Sequence, residues 1–213
     1  MRRLPVYLLL DVSGSMLGEP IEAVKNGVQM MHSALRKDPY ALESAFISVI
    51  TFESKVSQVI PLTEVAQFQP PSLNAGGGTS LGTALQEVVN CANREVAKST
   101  PEQKGDWKPL VFIMTDGAPT DNVEPGIAAF MAYKWGIVVA CAAGQHADES
   151  ILKRIAGENV VKLDTADSSS IAAFFKWVSS SISAGSKKID EGGSEAGSLS
   201  ELPPPPPEIN LVK

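Results

Sequence analysis

The sequence predicts an α/β fold: an open, mostly parallel β-sheet with helices on both faces and one short strand at an edge. Three observations predict it. Residues 5–10, 45–52, 110–114 and 136–142 are almost unbroken apolar runs, without the alternation of a strand that keeps one face wet. Stretches with apolar side chains every three or four positions separate most of them, as in helices that bury one face. Several runs end abruptly on polar residues, and in open parallel sheets ligands gather beyond the carboxyl ends of the strands.

In chain order, Met1-Arg2-Arg3 followed by apolar residues 4–10 imitates an export signal. The apolar stretch is short, contains Pro5 and ends at Asp11 without a small-residue cleavage site, so a first strand is the expectation. Glu19-Pro20 starts a helix, since proline is tolerated in the first turn. Ile21, Val24, Val28, Met31 and Leu35 mark its buried face, and Asp38-Pro39 is expected to end it. Residues 45–52 (AFISVITF) form a central strand, and 54–61 alternate as an edge strand does. A long connection over 62–78 closes with Gly76-Gly77-Gly78, after which Thr79 or Ser80 caps a helix carrying Leu81, Leu85, Val88 and Ala92. Residues 99–107 are a polar loop, and strand 110–114 runs into Thr115-Asp116-Gly117. Helices are expected at 123–134, 149–156 and 168–182, with strands at 136–142 and 160–163. From Gly185 onward Gly, Ser, Lys and Glu give way to five consecutive prolines, 203–207. Such a segment buries too little apolar surface to fold, so the reading is a domain over 1–184 and a disordered tail over 185–213.

Composition narrows the function. The chain has 213 residues, 44% hydrophobic and 20% charged, ordinary for a globular domain. A net charge of −6 without a Lys/Arg cluster argues against nucleic acid and anionic membrane as partners. No apolar run is long enough to span a bilayer. Without an export signal, Cys91 and Cys141 read as buried free thiols in a reducing, cytoplasmic setting. His32 and His146 are isolated, and Trp107, Trp135 and Trp177 are packing residues.

Asp11, Ser13 and Ser15 follow the first strand at i, i+2 and i+4, so their oxygens can converge on one point. Ser and Asp favour helix starts whatever the function, and taken alone this would be a capping loop. Thr79 after the glycines and Asp116 after a second strand add two further oxygen sources at the same expected edge. Hydroxyls with few carboxylates suit a hard cation, Mg²⁺ or Mn²⁺, that keeps some of its waters. The absence of Cys and His from the three loops disfavours soft metals. Neutral hydroxyls leave the ion's charge partly uncancelled, so an open position would attract an Asp or Glu of a partner protein. A phosphate cradle is disfavoured because no Gly-Lys-Ser/Thr follows the glycines. Asp121 reads as a surface turn residue.

These three pieces, in this order and spacing, resemble the von Willebrand factor A domain with its metal-ion-dependent adhesion site, over about residues 4–184. The resemblance implies a Rossmann-like sheet, coordination of the ion by Ser13, Ser15 and Thr79, and waters held by Asp11 and Asp116. It also implies bridging of the ion to a partner's carboxylate. The phrases GGGTSLGTAL and FIMTDGAPTD look most like bacterial TerY-type proteins. That narrower resemblance implies a scaffold in tellurium-resistance and stress-response clusters, beside kinase- and phosphatase-like proteins.

The alternative from another class is a Mg²⁺-dependent phosphatase of the haloacid dehalogenase type, which also begins with Asp at a strand end and uses late aspartates. Position 13 discriminates. That chemistry needs a second Asp two residues after the nucleophile to move protons, and Ser13 does neither half of the task near neutral pH. Binding, not catalysis, is the expectation.

Overall fold

The computed structural model describes residues 2–190 and 202–212. Seven strands form one sheet in the order β3-β2-β1-β4-β5-β6-β7. They are β1 (Leu4–Asp11), β2 (Ala45–Phe52), β3 (Val56–Glu64), β4 (Leu110–Thr115), β5 (Val138–Ala143), β6 (Val160–Leu163) and β7 (Asn210–Leu211). The five inner strands are parallel, and β3 and β7 pair antiparallel at the two edges. The parallel α/β reading therefore holds, and the continuous apolar runs have the expected cause. All eight residues of β1 and all six of β4 are buried, because helices cover both faces.

On one face, α1 (Glu19–Leu35), α2 (Pro39–Ser44) and α6 (Ser168–Asp190) enclose a core with Leu8, Val28, Phe112, Phe174 and Phe175. On the other, α3 (Leu81–Glu95), α4 (Glu124–Ala132) and α5 (Glu149–Ala156) pack over Tyr7, Leu9, Ile113 and Leu85. No helix among the described residues is long and apolar enough to cross a membrane. Cys91 and Cys141 are free and buried, and burial pushes the Cys91 thiol up to about 12. His32 lies within hydrogen-bond reach of the Val65 carbonyl and against Phe68, a packing role.

Asp38-Pro39 starts a helix in addition to ending one. Asp38 Oδ1 accepts from the amides of Tyr40 (2.9 Å) and Ala41 (3.2 Å), and Pro39 fills the first position of α2, where its missing N–H costs nothing. The edge strand runs three residues past Pro61, to Glu64.

The end of the chain departs further from expectation. Helix α6 continues through Gly185 to Asp190 because the glycine lets it lie close against the sheet: a Cβ there would sit 3.2 Å from the Leu4 side chain. Residues 202–212, expected to be disordered, return to the sheet. Leu202 and Ile209 are buried in the α1/α6 core, the Trp177 indole donates to the Pro203 carbonyl at 2.8 Å, and β7 covers the edge of β6. The physical reason is that prolines lose little freedom on ordering and bring no N–H to satisfy, so two flanking apolar anchors suffice. Residues 191–201 of the expected tail lie outside the described residues.

Helix α5 offers a test of local electrostatics. Asp148 Oδ1 accepts from the amides of Ser150 (3.0 Å) and Ile151 (3.2 Å), and its carboxyl is held below the usual carboxylate range, chiefly by the Ser150 hydroxyl. A carboxyl lowered by folding contributes stability that is complete above its unfolded value and lost as pH falls through the folded one. Asp148→Ala is expected to cost about 1 kcal/mol at neutral pH. The difference from wild type should begin to shrink in urea titrations taken below about pH 4 and vanish once the pH is below the lowered folded value, where the cap is protonated.

Candidate metal centre

Strand β1 pairs in parallel with β2 on one side and β4 on the other, so the chain leaves the centre of the sheet in opposite directions at this point. Such a reversal opens a crevice at the carboxyl edge. Two sequence-predicted residues sit there at strand ends: Asp11 closes β1, and Asp116 follows β4 directly.

The loops are fastened to one another through main chain. Gly14 N donates to Gly77 O (3.0 Å) and Gly76 N to Val12 O (2.8 Å), joining the glycine loop to the loop after β1. Gly77 has φ +74°, and a Cβ there would run into Glu53 and Ser54, so this position requires glycine. After Ser13 the chain makes a 3-10 turn over Gly14–Met16, which brings Ser13 Oγ and Ser15 Oγ to 3.0 Å from each other.

The side chains then form one chain of oxygens. Asp11 accepts from Ser13 N (2.8 Å) and from the Thr115 hydroxyl (2.5 Å). The Ser15 hydroxyl donates to Asp116 Oδ1 at 2.6 Å. Thr79 is buried and also lies near Gly117: a Cβ built on that glycine would lie 3.7 Å from Thr79 Oγ1 and 3.8 Å from Ser15 Oγ. All five sequence-predicted residues are thus brought to one edge of the sheet beside Gly117.

Electrostatics sharpen the description. Asp11 and Asp116 are 1% and 8% exposed. Burial pushes both carboxyls above the usual range, against hydrogen bonds from Ser13 and Thr115 to one and from Ser15 to the other. The charge of Asp116 pushes Asp11 the same way. Two like charges removed from water are costly unless a cation joins them; hydroxyls and amides meet both, and at Asp116 the His146 side chain also acts against the effect of burial. Among the described residues no group of three or more His, Cys, Asp or Glu is placed to hold a metal ion. A cation here would therefore be held in large part by hydroxyls, as a hard ion accepts.

Sequence reasoning missed Thr115 and Thr120, both of which touch the site's framework. Thr120 meets Thr79 through two hydrogen bonds. Their only signal was adjacency to Asp116-Gly117. Asp121, read as a surface turn, instead accepts from Gly82 N (3.1 Å), Thr83 N (2.8 Å) and the Thr83 hydroxyl (2.9 Å) at the start of α3.

A doubly wound α/β sheet with oxygen-bearing side chains gathered at its switch point defines an open-sheet α/β domain. More narrowly, the chain belongs to the von Willebrand factor type A domain family, which matches residues 6–176. It is 25% identical over 165 residues to inter-alpha-trypsin inhibitor heavy chain H6 of Homo sapiens, covering 72% of this chain and 12% of that protein. It is 33% identical over 123 residues to an uncharacterized protein of Synechocystis, covering 54% and 26%. The chain thus spans only 12% and 26% of the length of these relatives. Among solved structures, a von Willebrand factor type A protein from Catenulispora acidiphila superposes with a TM-score of 0.63 at 15% identity, over 86% of this chain and 43% of that one. Proximal thread matrix protein 1 of the mussel byssus, solved with a zinc-occupied MIDAS motif, gives 0.62 at 20% identity, over 84% and 48%. At these identities both bear on the fold alone.

Proposed function

We propose that this chain is a divalent-cation-dependent protein-binding module. Ser13, Ser15 and Thr79 hold the ion directly, Asp11 and Asp116 hold its waters, and the remaining position takes an Asp or Glu side chain of a partner protein. The observation that carries the reading is the meeting of five oxygen-bearing side chains beside Gly117, with two buried carboxylates among them. When bound, the ion supplies a positive point that neutral hydroxyls leave incompletely balanced. Mg²⁺ is the expected physiological ion and Mn²⁺ a substitute, since both accept oxygen donors. The zinc in the mussel relative's MIDAS motif supports a divalent ion at this position. The resemblance to TerY-type proteins supports a scaffold role in a tellurium-resistance or stress-response complex, with kinase- or phosphatase-like proteins as partners.

The phosphatase alternative loses support from Asp121. Both of its carboxylate oxygens are engaged at the start of α3, so it is not paired with Asp116 as a late metal-binding aspartate.

The test is cation-dependent capture. Purified tagged protein should retain its partner from the native host in Mg²⁺ or Mn²⁺, release it in EDTA, and fail to retain it as Thr79→Ala. Capture that persists both in EDTA and in the variant would move the interface elsewhere and sink the adhesion reading. Hydrolysis of a generic phosphomonoester that disappears in Asp11→Asn would turn the assignment to the enzyme.

A further inference from the structure

The loop between β4 and α4 carries Asp116 at one end and, four residues on, a second pair of polar residues that the coordination scheme does not use. Thr120 and Thr79 exchange two hydrogen bonds: Thr79 N donates to Thr120 Oγ1 and Thr120 N donates to Thr79 O, both at 2.9 Å. Asp121 then takes the amides of Gly82 and Thr83 and the Thr83 hydroxyl. One segment of two residues therefore grips the chain on both sides of Ser80, fixing Thr79 and the first turn of α3 to the loop that bears Asp116. The close approach is built into the glycine run as well. A Cβ on Gly78 would lie 2.8 Å from Thr120 Oγ1, so the third glycine is the residue that lets this hydroxyl reach the Thr79 amide.

We infer that Thr120 and Asp121 are positioning residues that set the spacing between the Thr79 hydroxyl and Asp116, and with it the cation affinity of the site. This rests on the metal-binding reading above. Thr79 and Asp116 lie 37 positions apart in sequence, in separate loops before α3 and after β4. Residues that orient metal-binding side chains from outside commonly alter affinity about 10–100-fold when removed. Thr120 is exposed at the surface, so shortening or swapping its hydroxyl opens no cavity in the core.

The experiment measures Mn²⁺ binding by loss of the free-ion EPR signal, alongside unfolding midpoints in EDTA. Thr120→Val keeps the branched shape and removes the acceptor; it should weaken Mn²⁺ binding by roughly tenfold or more while the midpoint in EDTA stays near wild type. Thr120→Ser restores the acceptor and should restore affinity. Asp121→Ala, which leaves the Thr120 pair intact and frees the start of α3, should weaken binding in the same direction. Wild-type affinity in Thr120→Val, or equal weakening in Thr120→Val and Thr120→Ser, would overturn the positioning role while leaving the metal site standing. A wild-type protein that binds no Mn²⁺ would instead overturn the site itself.

Discussion

Asp11→Asn is expected to reverse its effect on stability when a divalent cation is added. Asn keeps the shape of the carboxylate and an oxygen for the Ser13 amide, but it removes one of two like charges buried at the sheet edge. The folded state raises the Asp11 carboxyl, chiefly by burial. A raised carboxyl holds its proton more readily folded than unfolded, so stability falls as pH rises from the unfolded value through the folded one. At neutral pH without cation the charge therefore weighs against folding, and the Asn variant should be as stable as wild type or more so. With cation at about 100 times its dissociation constant, wild type gains about 2.7 kcal/mol, an increase of roughly 5–10 °C in unfolding midpoint for a domain of this size. The variant should gain little. Thermal melts of both proteins in EDTA and in a Mn²⁺ series check this. Equal gains in the two proteins would remove Asp11 from the site.

Gly126→Ala is expected to be the most damaging small substitution in the helical layers, with loss of cation affinity following the loss of stability. Helices α3 and α4 cross glycine on glycine. A Cβ on Gly126 would collide with the Gly82 carbonyl oxygen and come within 2.7 Å of its carbon, and a Cβ on Gly82 would lie 2.6 Å from Asn122 O. Both obstacles are backbone, which cannot turn aside as a side chain can. Overpacking usually costs 1–3 kcal/mol, and a rigid obstacle places this case near the upper end, at about 3 kcal/mol. Separation of the two helices would also pull Asp121 from the Gly82 and Thr83 amides, and so loosen Thr79 from the Asp116 loop. Gly76→Ala is the control, since nothing lies within 4 Å of its Cβ. It should unfold within about 0.5 kcal/mol of wild type. Urea titrations and Mn²⁺ binding on the two variants measure both effects.

The candidate site's convergence was legible for a physical reason. Asp11, Ser13 and Ser15 lie on consecutive alternate positions of one short loop, and Asp116 directly follows a recognisable buried strand. Local pattern was enough to place each at a strand's carboxyl end. Thr120 and Asp121 were not legible, because their partners at 79, 82 and 83 are some forty positions away and no period links them. The same holds at the end of the chain. The helical pattern through Ile182 was visible, but its extension through Gly185 depends on a surface that Leu4 supplies from the other end of the sequence. Asp38-Pro39 misled differently: it is both a stop and a start, and only the α2 amides that receive the Asp38 carboxylate distinguish the two.

By itself the sequence determined the α/β architecture, through apolar runs too continuous for a half-wet strand, and the residue types of the site, through oxygen donors at three strand or helix ends. Tertiary structure alone decided how those ends meet. The order of strands around β1, the glycine crossing of α3 and α4, and the return of residues 202–212 to β6 all depend on surfaces distant in sequence fitting together. Periodicity records which face of an element is buried, whereas the partner of that face is fixed by packing, which no local pattern encodes.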